Sequence, residues 1–259
     1  MLTTEFVPGS PNWLDLGSPD LDAATAFYGT VLGWEFQSAG PDAGGYGFFQ
    51  VDGKTVAGIG PLTEAGAASS WTVYFQTPDA DATTKAAEQA GATVRNEPFD
   101  VMGVGRMANL TGPLGAQFAV WQPLAFPGFE LASVPGALAW VELHVSDPAA
   151  AAAFYRTVFD WRTTQMDMPG MPYTVLATGD SAPDDTGFGG IAPLQGENEP
   201  PHWLAYFGSE DVDAQVASAT SVGGSVVVPP MDIPTVGRFA VLGDPAGAVF
   251  ALLKPEMPA

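Results

Sequence analysis

Apolar, β-prone runs with a tryptophan near their start occur four times along the chain, at residues 12–16, 71–76, 139–145 and 202–207. Each run is followed by a turn signal and an Ala-rich segment with the character of a helix. Four of the seven tryptophans occupy this repeated position: Trp13, Trp71, Trp140 and Trp203. The pattern therefore predicts a strand followed by a helix, four times over.

The first half of the chain shows the full predicted cycle. Polar and apolar positions, with Gly-rich turns between them, predict one strand, one helix and three further strands, at 12–16, 20–31, 34–38, 46–51 and 55–59. The cycle then restarts with elements at 71–76, 79–90, 92–95, 106–110 and 116–121. The predicted order is β-α-β-β-β, twice in each half of the chain.

The second half of the chain repeats the first. Ala26-Phe27-Tyr28 returns as Ala153-Phe154-Tyr155, an offset of 127 residues, and later matches such as Trp71 with Trp203 have an offset of 132. The five extra residues are expected mostly within 180–189. Because the stretch 122–136 is rich in Pro and Gly without periodicity, we predict domains at 1–121 and 137–259 joined by a linker at 122–136.

The net charge of the chain argues against two classes of binding partner. With 29 acidic and 8 basic residues the net charge is −21, and there is no basic patch for nucleic acid or for an anionic membrane surface. Cysteine is absent, so thiol chemistry and disulfides are excluded. No apolar run approaches the length of a membrane span, and residues 1–10 have no signal-peptide pattern. A cytoplasmic location is expected.

Several short motifs fall in the same order in both copies. Ala-Phe-Tyr lies on the first predicted helix of each copy. Leu-Gly-Trp follows it in the first copy and Phe-Asp-Trp in the second, and Gly-Pro-x-Gly or Asp-Pro-x-Gly precedes the last strand. In this the chain resembles the vicinal oxygen chelate superfamily of glyoxalases, bleomycin-resistance proteins and extradiol dioxygenases. The Pro-Asn-Trp opening and the Ile-Pro-x-Val-Gly-Arg-Phe segment further resemble tandem glyoxalase-like proteins often labelled hydroxylases. The resemblance implies an α+β fold of two tandem domains, each with two paired βαβββ units forming a curved, barrel-like mixed sheet around a concave cleft.

Side chains alternate across a strand, so the first strand of each copy presents one face to the helix and one to the cleft. We expect Trp13 and Asp15 to face the first cleft, Trp140, Glu142 and His144 to face the second, and Trp71 and Trp203 to face their own clefts.

The resemblance implies metal ligands at the start of each first strand and near the end of each last strand. These positions hold the four tryptophans, Ala119 and Ala251, none of which ligates a metal. The sequence therefore predicts no metal site of the family type, and no metal or other cofactor.

The tryptophans have two interpretations. They either fill the clefts as core, or face each other in pairs as a slot for a flat aromatic ligand. Polar groups near the rings are Asp15 and Gln117 in the first cleft, and Glu142 and His144 in the second. The latter two are candidates for an acid/base pair, with ordinary structural hydrogen bonding as the alternative.

Further ligand-binding candidates are Arg106 and Arg238, which either hold an anionic group or are simply solvated, and Tyr46 and Tyr173 at the cleft mouths. The leading hypothesis is a metal-independent protein that binds a planar hydrophobic small molecule, for resistance by sequestration or in natural-product chemistry. The alternatives are a metal-free isomerase, cyclase or lyase that uses the acid/base pair, and, last, a metal-dependent lyase or dioxygenase. A monomer or homodimer is expected.

Overall fold

The computed structural model of the protein describes residues 2–62, 66–168, 171–179, 187–196 and 198–256. These residues confirm the α+β fold, with the β-α-β-β-β order repeated four times. The first copy contains β1 Pro11–Ser18, α1 Leu21–Leu32, β2 Glu35–Ser38, β3 Gly47–Val51, β4 Lys54–Pro61, β5 Ser70–Gln76, α2 Ala80–Gln89, β6 Thr93–Val101, β7 Gly105–Thr111 and β8 Gln117–Pro123. A short 3-10 helix, Pro41–Ala43, precedes β3.

The second copy repeats this arrangement. Its elements are β9 Leu138–Val145, α3 Pro148–Phe159, β10 Arg162–Met168, β11 Met171–Ala177, β12 Gly189–Pro193, β13 His202–Gly208, α4 Val212–Ser221, β14 Ser225–Ile233, β15 Gly237–Gly243 and β16 Val249–Pro255. Most of the predicted insertion at 180–189 lies outside the described residues. None of the helices in the described part of the chain has the length and apolar content needed to cross a membrane.

The strands form two eight-stranded mixed sheets. Their orders are β2-β3-β4-β1-β5-β8-β7-β6 and β10-β11-β12-β9-β13-β16-β15-β14. In each βαβββ unit the first strand pairs in parallel with the last, and the strands between are antiparallel. Both orders have two ends, so the sheets are open and do not close into barrels.

Two compact units can be distinguished within the chain. One comprises residues 1–13, 72–128 and 140–204, and the other comprises 14–71, 129–139 and 205–259. Each unit thus draws one βαβββ unit, with small additions, from each half of the chain. The division into domains at 1–121 and 137–259 stays a prediction.

The four helices begin in the same way. The N-cap residues Asp20, Asp79, Asp147 and Asp211 each accept a hydrogen bond from the backbone N–H three residues later. An aspartate at this position satisfies a free N–H group and also favours the positive end of the helix dipole. The shared start is local chemistry that the sequence specifies four times.

Strand β6 is longer than the sequence predicts. It continues to Val101 although Pro98 lies within it, and its pairing with β7 is interrupted by register shifts on either side of Asn96. Proline is tolerated there because β6 is the end strand of its sheet and needs no hydrogen-bond partner on one side. The predicted end at residue 95 was therefore wrong.

Candidate functional site

The polar cluster of the second copy is built on β9. Alternation along this strand places Trp140, Glu142 and His144 on one face, while Val141, Leu143 and Val145 are fully buried on the other. Gly190 on β12 lies directly opposite Glu142 in the parallel register. A Cβ atom at Gly190 would collide with the Tyr173 hydroxyl, so glycine at this position lets the tyrosine reach the carboxylate.

A chain of hydrogen bonds links these side chains. The Trp140 Nε1–H donates to the Tyr173 hydroxyl over 2.9 Å, and that hydroxyl donates to Glu142 Oε2 over 2.6 Å. The other carboxylate oxygen, Oε1, lies 2.7 Å from His144 Nε2. Glu142 and His144 are each only 8% exposed, so both bonds are formed largely away from water. Short hydrogen bonds to an ionised carboxylate are stronger than hydrogen bonds between two neutral groups.

The second ring nitrogen of His144 faces a different carboxylate. Its Nδ1 lies 3.0 Å from Glu199 Oε1, but it has no hydrogen bond of acceptable geometry among the described residues. Glu199 is held by its other oxygen, Oε2, which accepts from the backbone N–H groups of Gln195 and Gly196. The loop before β13 thus fixes this carboxylate with one oxygen directed at the imidazole.

His202, the first residue of β13, completes the cluster. Its ring stacks on that of His144, with centroids 4.9 Å apart and planes inclined by 27°. Its Nδ1 lies 2.9 Å from the carbonyl oxygen of Pro200, which can accept a hydrogen bond from a protonated Nδ1, and 3.7 Å from Glu199 Oε1. A ring nitrogen from each histidine and a Glu199 oxygen all lie within 4.8 Å of one another.

The two histidines have opposite pKa shifts. Burial opposes protonation of His144, but the hydrogen bond and negative charge of Glu142, with the charge of Glu199, outweigh it and raise its pKa above 6.5. Burial lowers the pKa of His202, and the charge on His144 adds to this effect. His144 is therefore the more basic of the two imidazoles. Burial also raises the pKa of Tyr173, as does the charge of Glu142, so its hydroxyl remains a donor.

The first copy retains only part of this arrangement. The Tyr46 hydroxyl donates to Asp15 Oδ2 over 3.3 Å, as Tyr173 does to Glu142 in the second copy. The residues that match His144, Glu199 and His202 at the two repeat offsets are Gly17, Ala67 and Ser70, which carry no imidazole or carboxylate. The tyrosine–carboxylate contact is shared by both copies, whereas the cluster of titratable groups is specific to the second.

Trp71 and Trp203 do not face clefts, so their predicted orientation was wrong. The Trp71 Nε1–H donates to the hydroxyl of Tyr28 on α1, and the Trp203 Nε1–H donates to the hydroxyl of Tyr155 on α3, both over 3.0 Å. Strands β5 and β13 have apolar residues on both faces, so alternation alone could not decide which face carries the helix. These two indoles are core, with 7% and 4% of their surfaces exposed.

The remaining aromatic candidates differ between the copies. Trp13 is buried and packs edge-to-face on Phe126 from the predicted linker, with ring centroids 4.8 Å apart. Trp140 is half-buried and packs against the cluster of Tyr173, Val175 and Ala192. Of the four repeated tryptophans, Trp140 alone has both a place beside the polar cluster and partial exposure.

The other polar candidates have partners outside the cluster. Gln117 accepts a hydrogen bond from Arg95 in an exposed position. Arg106 is paired with Asp81 and Asp100, and Arg238 with two aspartates at the matching positions, Asp213 and Asp232. Each guanidinium already binds two carboxylates and joins a helix to a strand hairpin. This geometry corresponds to the solvated alternative and gives no support to anion binding.

A small hollow of about 10 Å³, room for no more than about one water molecule, lies on the other face of β9. Its walls are apolar, from Leu143, Val145, α3 and the turn that precedes β8. Because alternation directs Glu142 and His144 away from that face, the hollow has no access to the titratable groups. We assign it to imperfect packing, and the polar cluster remains the candidate site.

The sequence pattern predicts Glu142, His144 and Tyr173 as site residues but not Glu199. The positions at which the resemblance implies metal ligands do not include the two histidines of the chain, which meet beside this glutamate. Glu199 lies in an irregular segment between strands, where periodicity says nothing about side-chain direction. The available signal is strand alternation, because His202 precedes Trp203 and therefore points to the opposite face, where its ring stacks on that of His144.

Comparisons with known proteins agree with the repeat. The family model described as "Glyoxalase/Bleomycin resistance protein/Dioxygenase superfamily" matches residues 10–120 and 137–252. An anthracycline biosynthesis protein, DauV, from a Streptomyces species is 40% identical, and the match covers 97% of this chain and 95% of DauV. CFP32 of Mycobacterium bovis, whose name gives a provisional description as a glyoxylase, is 37% identical over 97% of each chain.

Solved structures share the fold at low identity. The Mn(II)-bound glyoxalase from Novosphingobium aromaticivorans has a TM-score of 0.64 and 21% identity, covering 95% of this chain and 82% of that one. The 2,2',3-trihydroxybiphenyl 1,2-dioxygenase from Sphingomonas wittichii has a TM-score of 0.66 and 14% identity, covering 96% and 91%. With its two family matches and its full-length relatives, the chain belongs to the glyoxalase/bleomycin resistance protein/dioxygenase superfamily.

Proposed function

We propose that the protein is an acid–base enzyme that moves a proton on a planar, conjugated small molecule bound beside Trp140, as an isomerase, cyclase or lyase does. The observation that carries the proposal is the buried hydrogen-bonded chain from Trp140 through Tyr173 and Glu142 to His144. A base oriented by a carboxylate, which is itself held by a third group, is the usual arrangement of a positioned proton carrier.

The roles follow from the two ring nitrogens of His144. Nε2 is engaged by Glu142, so Nδ1 is the nitrogen that takes a proton from the ligand and returns it to another atom of the same ligand. Glu142 is a positioning residue that holds the ring and stabilises the imidazolium. The proton is conserved in this cycle, and the transfer itself needs no metal ion.

A small aromatic ligand is consistent with the surroundings. The half-buried indole of Trp140 offers a flat apolar surface next to the cluster. The 40% identical relatives are named for the biosynthesis of anthracyclines, a class of small-molecule natural products. The net charge of −21 disfavours nucleic acid or an anionic membrane as the partner.

The test uses benzoylacetone, a flat enolisable aryl diketone, as probe, and follows its enol–keto interconversion by ultraviolet absorbance with chelator-treated protein. Glu142→Gln and His144→Gln should each slow the catalysed rate by about 10²–10⁴-fold, the usual contribution of a positioned acid or base. Glu88→Gln, an exposed carboxylate on α2, is the matched control and should retain the rate. Equal rates in wild type and in both site variants would refute the assignment.

Binding without turnover is the second candidate, favoured by the partial exposure of Trp140. In that case a planar hydroxyanthraquinone should quench the tryptophan fluorescence of wild type and of Glu142→Gln alike, and quenching should be lost in Trp140→Ala. Quenching that survives Trp140→Ala would place the ligand elsewhere.

A further inference from the structure

We propose that His144, Glu199 and His202 form a binding site for one divalent transition-metal ion, at positions other than those where the superfamily resemblance implies ligands. The proposal concerns the same cluster as the proton transfer but does not depend on it. It rests on the convergence of donor atoms, on a buried nitrogen that lies 3.0 Å from a carboxylate oxygen without hydrogen-bond geometry, and on the support around the ligands.

The donor atoms are closely spaced. His144 Nδ1 and Glu199 Oε1 are 3.0 Å apart. Two ligands bound to one Zn²⁺ at about 2.0–2.2 Å lie about 2.9–3.4 Å from each other for angles between 90° and tetrahedral, so this spacing suits a shared ion. His202 offers a ring nitrogen within 4.8 Å of both, and 29% of its side chain is exposed.

The His144 nitrogen is the second, independent observation. Nδ1 is buried and has no hydrogen bond among the described residues, although a carboxylate oxygen is near. Burying a polar atom without a hydrogen bond is unfavourable, so its retention calls for an explanation. A cation between Nδ1 and Oε1 would use both lone pairs and would be attracted by the carboxylates of Glu142 and Glu199.

The groups that hydrogen-bond to the proposed ligands are also of the kind found around metal ions. The Nε2–H of His144 is directed at Glu142, which in turn accepts from Tyr173, an arrangement that fixes the ring with the Nδ1 lone pair available. Glu199 is held by two backbone N–H groups, and the Nδ1 of His202 faces the Pro200 carbonyl. Two imidazoles and one carboxylate suit Zn²⁺, Co²⁺, Ni²⁺ or Fe²⁺ better than Ca²⁺ or Mg²⁺.

Metal and proton compete for one nitrogen in this scheme. An ion on Nδ1 occupies the lone pair that accepts the proton in the proposed reaction, so the metal-loaded protein and the proton-transfer enzyme are alternative states. Binding is therefore measured without any substrate, and turnover is measured on chelator-treated protein. A negative result for one leaves the other unaffected.

The experiment titrates chelator-treated protein with Zn²⁺ by calorimetry and with Co²⁺ by visible d–d absorption. Wild type should bind one equivalent, and its Co²⁺ spectrum should show nitrogen and oxygen ligation. Glu199→Gln and His202→Gln should each weaken binding at least about tenfold, and Glu142→Gln, which acts through His144, by about 10–100-fold. The acidic-surface control Glu88→Gln should match wild type.

Two results would overturn the site. The first is the same affinity in wild type and Glu199→Gln, which would mean that the acidic surface binds an adventitious ion only. The second is the absence of saturable binding by wild type. Circular dichroism and the unfolding midpoint of each variant show whether a loss of metal binding reflects the loss of a ligand or a misfolded chain. If Glu199→Gln misfolds, the metal affinity of the milder variant His202→Gln decides whether the site exists.

Discussion

The link between Glu142 and His144 can be tested directly because the chain has only two histidines. Glu142→Gln keeps the shape of the side chain but removes its charge. A hydrogen bond to a charged group contributes about 1.5–3 kcal/mol and a neutral one about 0.5–1.5 kcal/mol, so the imidazolium of His144 should lose about 1–1.5 kcal/mol of stabilisation. The pKa of His144, which Glu142 raises against the effect of burial, should therefore fall.

The assay is a pH titration of the two imidazole C2–H resonances by NMR in chelator-treated protein, with His202→Gln to assign them. In wild type the His144 midpoint should lie above 6.5 and that of His202 below it. In Glu142→Gln the His144 midpoint should drop while His202 moves less, because Glu142 is the smallest of the causes acting on it. Glu88→Gln should reproduce both wild-type curves.

Glu142→Gln should also lower the free energy of unfolding by an amount that depends on pH. A histidine whose folded pKa is raised stabilises the fold fully below its unfolded pKa, and this contribution is lost as the pH rises through the folded pKa. The deficit of Glu142→Gln in unfolding free energy should therefore shrink with rising pH. A His144 midpoint that is unchanged or raised, or a deficit that grows with pH, would refute the link between the carboxylate and the imidazole.

Three further predictions follow from the hydrogen bonds and burial described above. Tyr173→Phe should lower the unfolding free energy measured in urea by about 1–3 kcal/mol, and Tyr46→Phe by less, because its 3.3 Å bond is longer and less buried; equal losses would contradict this. Trp203→Ala should cost about 3–5 kcal/mol by the same measurement, as expected for a core indole, and a loss below 1 kcal/mol would mean that the ring is not core. In an alkaline titration at 295 nm, the tyrosines whose pKa burial raises should resist ionisation beyond pH 10: Tyr28, Tyr155 and Tyr173. Stability should fall above that pH because the unfolded chain loses protons that the folded chain retains, and ionisation of all the tyrosines of the folded protein with ordinary midpoints would argue against the burial of these three.

Much of the fold was predictable because its signals are local and repeated. The aspartate caps, the Gly-rich turns and the alternation of β1 and β9 each depend on a few neighbouring residues, and each occurs more than once. The extension of β6 past Pro98 was not predictable, because only the position of that strand at the end of its sheet makes proline acceptable there.

The candidate site likewise has a part that the sequence predicts and a part that only the tertiary structure decides. Glu142 and His144 share a face because they are two residues apart on a strand, and the polar pair marks that face; the sequence alone determined this much. Strands β5 and β13 lack such a mark, so the burial of Trp71 and Trp203 against α1 and α3 was decided only when the helices packed. The approach of Glu199 and His202 to His144 was likewise decided by tertiary structure, because it depends on a loop conformation and on the adjacency of β9 and β13, neither of which has a period in the sequence.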